Sequence, residues 1–340
     1  MTNKPSIGIA GFYGYGNFGD ELFLNVFQQV LGDLYDLKVT YDNLSKPYFS
    51  STAEARVGEL DGVVIGGGDI VQPWAMDERY FNFAYLEKPV FVVGVGVPIR
   101  AAVNLKHAEK DWIVKKYKKF FSHENIKFIH ARDAQSAHWI RTKLEPRVPV
   151  IEAPDIVCSL NLPPINADLT QRVLGVVTRK RPSDEPDNYA ELKNLCEFAM
   201  QKGWRVRHII LGCASVGRAD FENADDLNVE GKELIYTESL NDLMIAIGEC
   251  DALASMKFHG TVVATMYGIP SIVLIPTNKN KNFMDRIGLA SQVSKFDSKN
   301  LPQVFDSLPA AINAHDIANL RHSTLDMFEK LKKSIKDSLI

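Results

Sequence analysis

The chain has no C-x-x-C pair and no group of cysteines with histidine at metal-ligand spacing. Its four cysteines, Cys158, Cys196, Cys213 and Cys250, are scattered, which excludes a zinc framework or a disulfide-stapled scaffold and reads as buried thiols in a reducing compartment. No apolar run reaches the roughly 18 residues of a membrane span, and the opening MTNKPSIGIAGF lacks the apolar segment of a signal peptide. A cytoplasmic location is the expectation. An excess of one charge is missing too: 39 Lys and Arg against 42 Asp and Glu give a net charge of −3, so there is no electrostatic case for nucleic acid as a partner. Internal repeats and low-complexity tracts are also absent. What is present is an ordinary globular composition, 340 residues with 46% hydrophobic, long enough for two separate cores.

Short apolar runs alternate with helical patterns along the chain. In the first half, strand candidates fall at Ser6 to Gly11, Leu37 to Tyr41, Val63 to Ile65, Pro89 to Val93, Lys127 to His130 and Val148 to Glu152. Helix candidates lie between them, at Leu22 to Leu31, Leu105 to Phe121 and Ala134 to Lys143. The lysines of the second (Lys110, Lys115, Lys116, Lys118, Lys119) form a solvated face or, alternatively, a surface for anionic lipid headgroups. Ser159 to Gln171, rich in Pro, Asn and polar residues, reads as a linker. A second alternation then runs through strands at Val173 to Thr178, Val206 to Leu211, Ala252 to Ala254 and Ser271 to Leu274. Its helices fall at Asn188 to Lys202, Leu240 to Gly248, Thr261 to Tyr267 and Phe283 to Ile287. The last 40 residues read as helices at about Leu301 to Ala314 and Ile317 to Ser338, the second with Leu320, Leu325, Phe328, Leu331 and Ile335 along one face. Two such halves imply an α/β protein of two doubly wound Rossmann-type domains facing each other across a cleft. The expected boundaries are 1–160 for the N-terminal domain, 172–315 for the C-terminal domain, and 316–340 for a helix that packs back on the first.

Four strand ends carry candidate chemistry. GYGNFGDE places Gly14, Gly16 and Gly19 in a G-x-G-x-x-G between a strand and a helix, with Asp42 at the end of the next strand, so a dinucleotide site has to be weighed. Asn17, Asp20 and Glu21 weigh against it, because carboxylates in a first helical turn repel a pyrophosphate; a substrate loop or a tight turn remain as readings. Gly66, Gly67 and Gly68 followed by Asp69 allow a turn of unusual dihedrals and a close approach, or a simple strand exit. Arg132 sits at a strand end with a fork suited to a carboxylate or phosphate, beside Asp133, which can cap the following helix. In SMKFHGTVVATMYGIP, Lys257 and His259 fall between a strand and a helix, where amides and helix dipole favour an anion; a solvated Lys and a structural His fit the same spacing. Phe12, Tyr13, Tyr15 and Trp74 can stack on sugar rings or pack internally.

Taken in order, GYGNFGDE, IGGGDI, ARDAQS with APDIV, and SMKFHGTVVATMYGIP resemble the polysaccharide pyruvyltransferase family over nearly the whole chain. The resemblance implies a GT-B-like fold and an enzyme that moves the pyruvyl unit of phosphoenolpyruvate onto two hydroxyls of a sugar, forming a ketal and releasing phosphate. It implies His259 as the catalytic acid or base, and Arg132, Lys257, Phe258 and Lys279 as the donor site. Lys257 departs from the more usual Arg, a point charge in place of a bidentate fork. Asn17, Asp20, Glu21, Gly67, Gly68 and Asp69 are the acceptor-side candidates. Phosphoenolpyruvate is then a co-substrate, with no other cofactor and no metal expected. The acceptor is expected to be a lipid-linked sugar of a capsule, exopolysaccharide or cell-wall precursor, met at the inner face of the membrane. The rival on the same fold is a glycosyltransferase using a nucleotide sugar.

Overall fold

The computed structural model describes residues 4–40, 57–99, 107–166, 170–180 and 189–339. By contact the chain divides into two units: Met1–Gly14, Asp20–Leu160 and Arg321–Ile340 form one, and Tyr15–Gly19 with Asn161–Leu320 form the other. The expected strand at Leu37 to Tyr41 ends at Val39, and Asp42 lies outside the described residues.

The first unit is built on a parallel sheet of β1 (Ser6–Ala10), β2 (Asp36–Val39), β3 (Gly62–Gly68), β4 (Val90–Val95), β5 (Ile126–Ala131) and β6 (Val150–Glu152), in the order β2-β1-β3-β4-β5-β6. All of β3 and β4 is buried, as continuous apolar strands covered on both faces must be. Helix α1 (Phe18–Leu31) buries Leu22, Phe23, Val26, Phe27 and Leu31, a stripe at helical spacing. Helix α2 covers Asp111–Phe121 with Lys110 as its N-cap residue; of the span expected from Leu105, residues 105 and 106 lie outside the described residues. It turns Ile113, Tyr117, Phe120 and Phe121 inward, while Lys116 pairs with Glu78 and Lys118 with Glu145. Helix α3 (Ala134–Trp139) loosens into a π turn over Ile140–Leu144 and stops where Glu145 takes φ 47°.

The second unit carries β7 (Val173–Val177), β8 (Arg205–Ile209), β9 (Glu233–Ile235), β10 (Ala252–Ser255) and β11 (Ser271–Val273) in the parallel order β11-β10-β7-β8-β9. Its helices are α4 (Ala190–Gln201), α5 (Ala214–Phe221), α6 (Leu240–Gly248), α7 (Phe258–Met266), α8 (Asn278–Arg286) and α9 (Leu301–Asp306). Every residue of α7 is buried, the polar His259, Thr261 and Thr265 among them, so the helix lies inside the unit and not on its surface. Three expectations fail here. α5 and β9 are absent from the periodicity, α9 is one short helix that stops at Asp306, and α8 begins at Asn278 instead of the expected Phe283, which puts Lys279 in its first turn.

The last helix, α10 (Ala314–Ser338), passes from the second unit into the first at Leu320. In the first unit it buries Thr324, Met327, Phe328, Leu331 and Ile335, each large apolar chain contributing about 1.5–3 kcal/mol. Leu325, expected on that face, is 41% exposed, because the buried stripe runs through 324, 327 and 328. Arg321 Nη2 donates to the Leu160 carbonyl and Ser334 Oγ to that of Lys127, at 3.2 Å each. Among the described residues no helix is long and apolar enough to cross a membrane.

Candidate active site

In an open parallel sheet, ligands bind beyond the carboxyl ends of the strands where the strand order reverses. The first sheet reverses between β1 and β3, which end in the first loop and in the triple glycine. The second reverses between β7 and β10, and β10 ends in Ser255 to Gly260. Three of the four sequence motifs thus stand at switch points.

In the first unit, β3 runs through Gly67 and Gly68, whose φ values of 84° and 82° require glycine. A Cβ on Gly67 would enter the Phe23 ring, and one on Gly68 would lie 3.0 Å from Asp20 Oδ1. Asp20 and Gly68 are therefore neighbours. Glu21 is buried and accepts the Gly14 amide at 2.9 Å. Two of the four candidate aromatics are buried: Tyr13 is 1% exposed and donates its hydroxyl to the Gly66 carbonyl at 2.7 Å, and Trp74 is edge-on to His107, whereas Phe12 and Tyr15 are half-buried.

Arg132 joins this group by its own means. Its side chain is 2% exposed and its fork is spent on the unit's own carboxylates, Nη2 on Asp69 and Nη1 on Asp155 at 3.4 Å. Gly96 makes room for it, since a Cβ there would stand 2.7 Å from Nε, Nη2 and Asp69 Oδ1. Burial works against its charge, but Asp69, Asp155 and Asp133 outweigh that and raise its pKa. Asp133 also caps α3 through the Ser136 amide at 2.8 Å. The structure thus joins Arg132, expected on the donor side, to Asp69, expected on the acceptor side. The arginine acts as the counter-ion that lets two carboxylates stand at the strand ends.

In the second unit, Ser255 Oγ accepts the Lys257 amide at 3.1 Å and donates to the Lys257 carbonyl at 2.8 Å, closing the turn that starts α7. The helix begins at Phe258, three residues before the apolar pattern suggests, so His259 lies in the first helical turn and not in a preceding loop. Gly260 is needed there because a Cβ would sit 2.7 Å from Ser255 Oγ. His259 is 9% exposed, with its ring 5.0 Å from that of Phe258 in an edge contact. Lys279 Nζ stands 5.6 Å from the centre of the same Phe258 ring. Lys257, Phe258, His259 and Lys279 are therefore brought together around the amino end of one buried helix, whose dipole favours an anion.

The first loop belongs to this second group. Tyr15's carbonyl accepts the Val216 amide at 3.1 Å and Ser215 Oγ at 3.0 Å; Gly16's accepts the Cys213 amide at 2.9 Å, and Asn17 bridges to Gly212. Gly16, at φ 82°, leaves the room its Cβ would need to the Cys213 carbonyl, and Gly19 leaves its own to the His259 ring. Gly16 and Gly19 of the glycine spacing thus serve contacts within the protein. Sequence reasoning missed Asp220, on α5: it is 4% exposed and receives the Lys257 ammonium and, at 2.6 Å, the Lys180 amide. α5 offers no apolar stripe that would have revealed it. Among the described residues no group of three or more His, Cys, Asp or Glu could hold a metal ion.

The two doubly wound sheets define a GT-B-like fold, and solved structures agree. The chain is similar to UDP-GlcNAc 2-epimerase from Neisseria meningitidis bound to UDP-GlcNAc (TM-score 0.63, 14% identity, 96% of this chain and 99% of that one). It is similar to S. aureus MnaA solved with UDP (TM-score 0.61, 10% identity, 98% and 96%). It also resembles the wall teichoic acid polymerase TagF, H444N variant, soaked with CDPG (TM-score 0.52, 13% identity, 98% and 90%). At such identities these likenesses speak for the fold alone. No curated protein matches the chain's sequence. The sequence profile of polysaccharide pyruvyl transferase matches residues 17–278, from the first loop to the start of α8. The chain belongs to the polysaccharide pyruvyl transferase family.

Proposed function

We propose that the protein transfers the pyruvyl unit of phosphoenolpyruvate to two hydroxyls of a sugar in a lipid-linked surface-polysaccharide precursor, at the inner face of the membrane. The observation that carries the reading is that His259 and Lys279 both stand beside the Phe258 ring at the start of α7, in a chain matched by the family profile. Phosphoenolpyruvate is small and anionic, so a helix amino end with a half-buried lysine suits it. The atoms balance without an outside reagent. One hydroxyl adds to C2 as C3 takes up a proton; the C2–O bond to phosphate then breaks and the second hydroxyl adds. One of the two hydroxyl protons ends on the new methyl group and the other on phosphate. His259 is the proton carrier between hydroxyl and donor, and Lys279 meets the donor's charge. Asp20 and Asp69 are the acceptor-side carboxylates.

The rival is a nucleotide-sugar glycosyltransferase, favoured by the UDP-GlcNAc, UDP and CDPG named with the similar structures. The purified protein, incubated with phosphoenolpyruvate and a surface-polysaccharide fragment, is expected to release inorganic phosphate and to add a pyruvyl methyl signal to the sugar, both lost in His259→Ala. Transfer from a nucleotide sugar with no phosphate release from phosphoenolpyruvate would establish the rival.

A further inference from the structure

A lysine has a flexible four-carbon stem and three rotatable donors, so as a ligand for a small anion it is a poorly fixed charge unless something holds it. In this chain Lys257 is held. Its ammonium donates to the Leu211 carbonyl at 2.7 Å and to Asp220, and its side chain keeps only 15% exposure. Asp220 is itself fixed, since its other oxygen accepts the Lys180 amide at 2.6 Å. One buried carboxylate thus ties together the ends of three strands: β7 through Lys180, β8 through the Leu211 carbonyl that shares the ammonium, and β10 through Lys257. Lys257 is also the N-cap residue of α7, and its carbonyl accepts the Gly260 amide at 3.1 Å and the Thr261 amide at 3.4 Å, in the turn that carries His259.

We infer that Asp220 is a positioning residue, which immobilises the Lys257 ammonium and, through it, the first turn of α7 with His259. Simple charge counting gives the opposite sign from positioning. A carboxylate beside a site for an anion repels that anion, so neutralising it would tighten binding if charge alone mattered. If Asp220 positions Lys257, neutralising it loosens the turn and weakens binding instead.

The inference rests on the donor reading above for its binding arm only. Without any ligand, amide hydrogen exchange of Asp220→Asn is expected to rise about 10-fold or more at Lys180, Gly260 and Thr261. Unchanged exchange there overturns the inference whatever the donor proves to be. In calorimetric titration with phosphoenolpyruvate, Asp220→Asn is expected to raise Kd about 10-fold at unchanged stoichiometry. Lys257→Arg in the same background is expected to recover most of that loss, because a planar fork needs less holding. Tighter or unchanged binding in Asp220→Asn overturns the inference, as does a fall in stoichiometry with Kd unchanged, which marks simple partial unfolding. No binding by the wild type refutes the donor reading, and the exchange arm still decides the role of Asp220. Should the Asn variant not fold, Asp220→Glu, which keeps the charge and moves it by one methylene, must show the same changes at smaller size.

Discussion

Gly19→Ala isolates the seat of His259. Glycine in a helix costs about 1 kcal/mol relative to alanine, so by helix propensity alone the change would stabilise α1. The structure predicts the reverse. A Cβ at position 19 would fall on His259 Nδ1, and nothing within the motif can yield cheaply: Gly16 is bonded to Cys213, Tyr15 to Ser215 and Val216, and every residue of α7 is buried. Ordinary carbon contacts need about 3.5 Å, so the ring or the first turn of α1 must retreat by about 1.5 Å or more. Overpacking of this kind costs about 1–3 kcal/mol, which cancels or exceeds the gain in propensity. With His259 as the proposed proton carrier, a displacement of about 1 Å is expected to lower turnover on the order of 100-fold. Phosphate release from phosphoenolpyruvate and a thermal melt are the assays. Gly58→Ala, where a Cβ meets nothing within 4 Å, is the control with unchanged turnover. A Gly19→Ala protein that is more stable than the wild type and fully active would refute the packing account of His259.

Further outcomes follow from the same geometry. His259→Ala should lower turnover by about 100-fold or more while the protein melts near the wild-type temperature, since the group is asked to carry a proton. Arg132→Gln should leave Asp69 and Asp155 without their cation and destabilise the first unit by about 3–5 kcal/mol, seen as a melting point lowered by roughly 10 °C. His208 is buried against Thr178, with burial and then Lys232 pushing its pKa down to about 3. The unfolded chain therefore binds one more proton than the native one below about pH 6.5. Stability is full above that pH and falls by about 1.4 kcal/mol per unit toward pH 3, about 2 kcal/mol by pH 5. Urea midpoints at pH 7.5 and 5 should converge in His208→Gln. Burial raises the Cys196 and Cys250 thiols to about 12, so neither should react with a disulfide reagent at pH 8 until the protein unfolds.

The two parallel sheets were legible because their central strands, β3, β4 and β7, are uninterrupted apolar runs that end in glycine or a charged motif. β3 and β4 needed no further context, and the switch points followed once the strands were ordered. Elements that bury little were not legible: α5 holds a glycine at its centre and β9 is three residues long with none of them buried. The start of α7 was misplaced because Lys257 and His259 look like loop residues until the Ser255 hydroxyl closes the turn beneath them. Ion pairs were the least accessible. Arg132 finds Asp69 and Asp155 at separations of 63 and 23 residues, and Lys257 finds Asp220 at 37, distances over which no local pattern speaks. Sequence thus named cations at two strand ends, and the fold shows that each is already answered by a carboxylate.

The most direct test of the donor assignment is calorimetric titration of the purified protein with phosphoenolpyruvate, alongside UDP, a cytidine diphosphate and UDP-GlcNAc. Saturable binding of phosphoenolpyruvate at one equivalent, weakened in Lys279→Ala and matched by none of the nucleotides, is the predicted result. Binding of a nucleotide with indifference to phosphoenolpyruvate would contradict it.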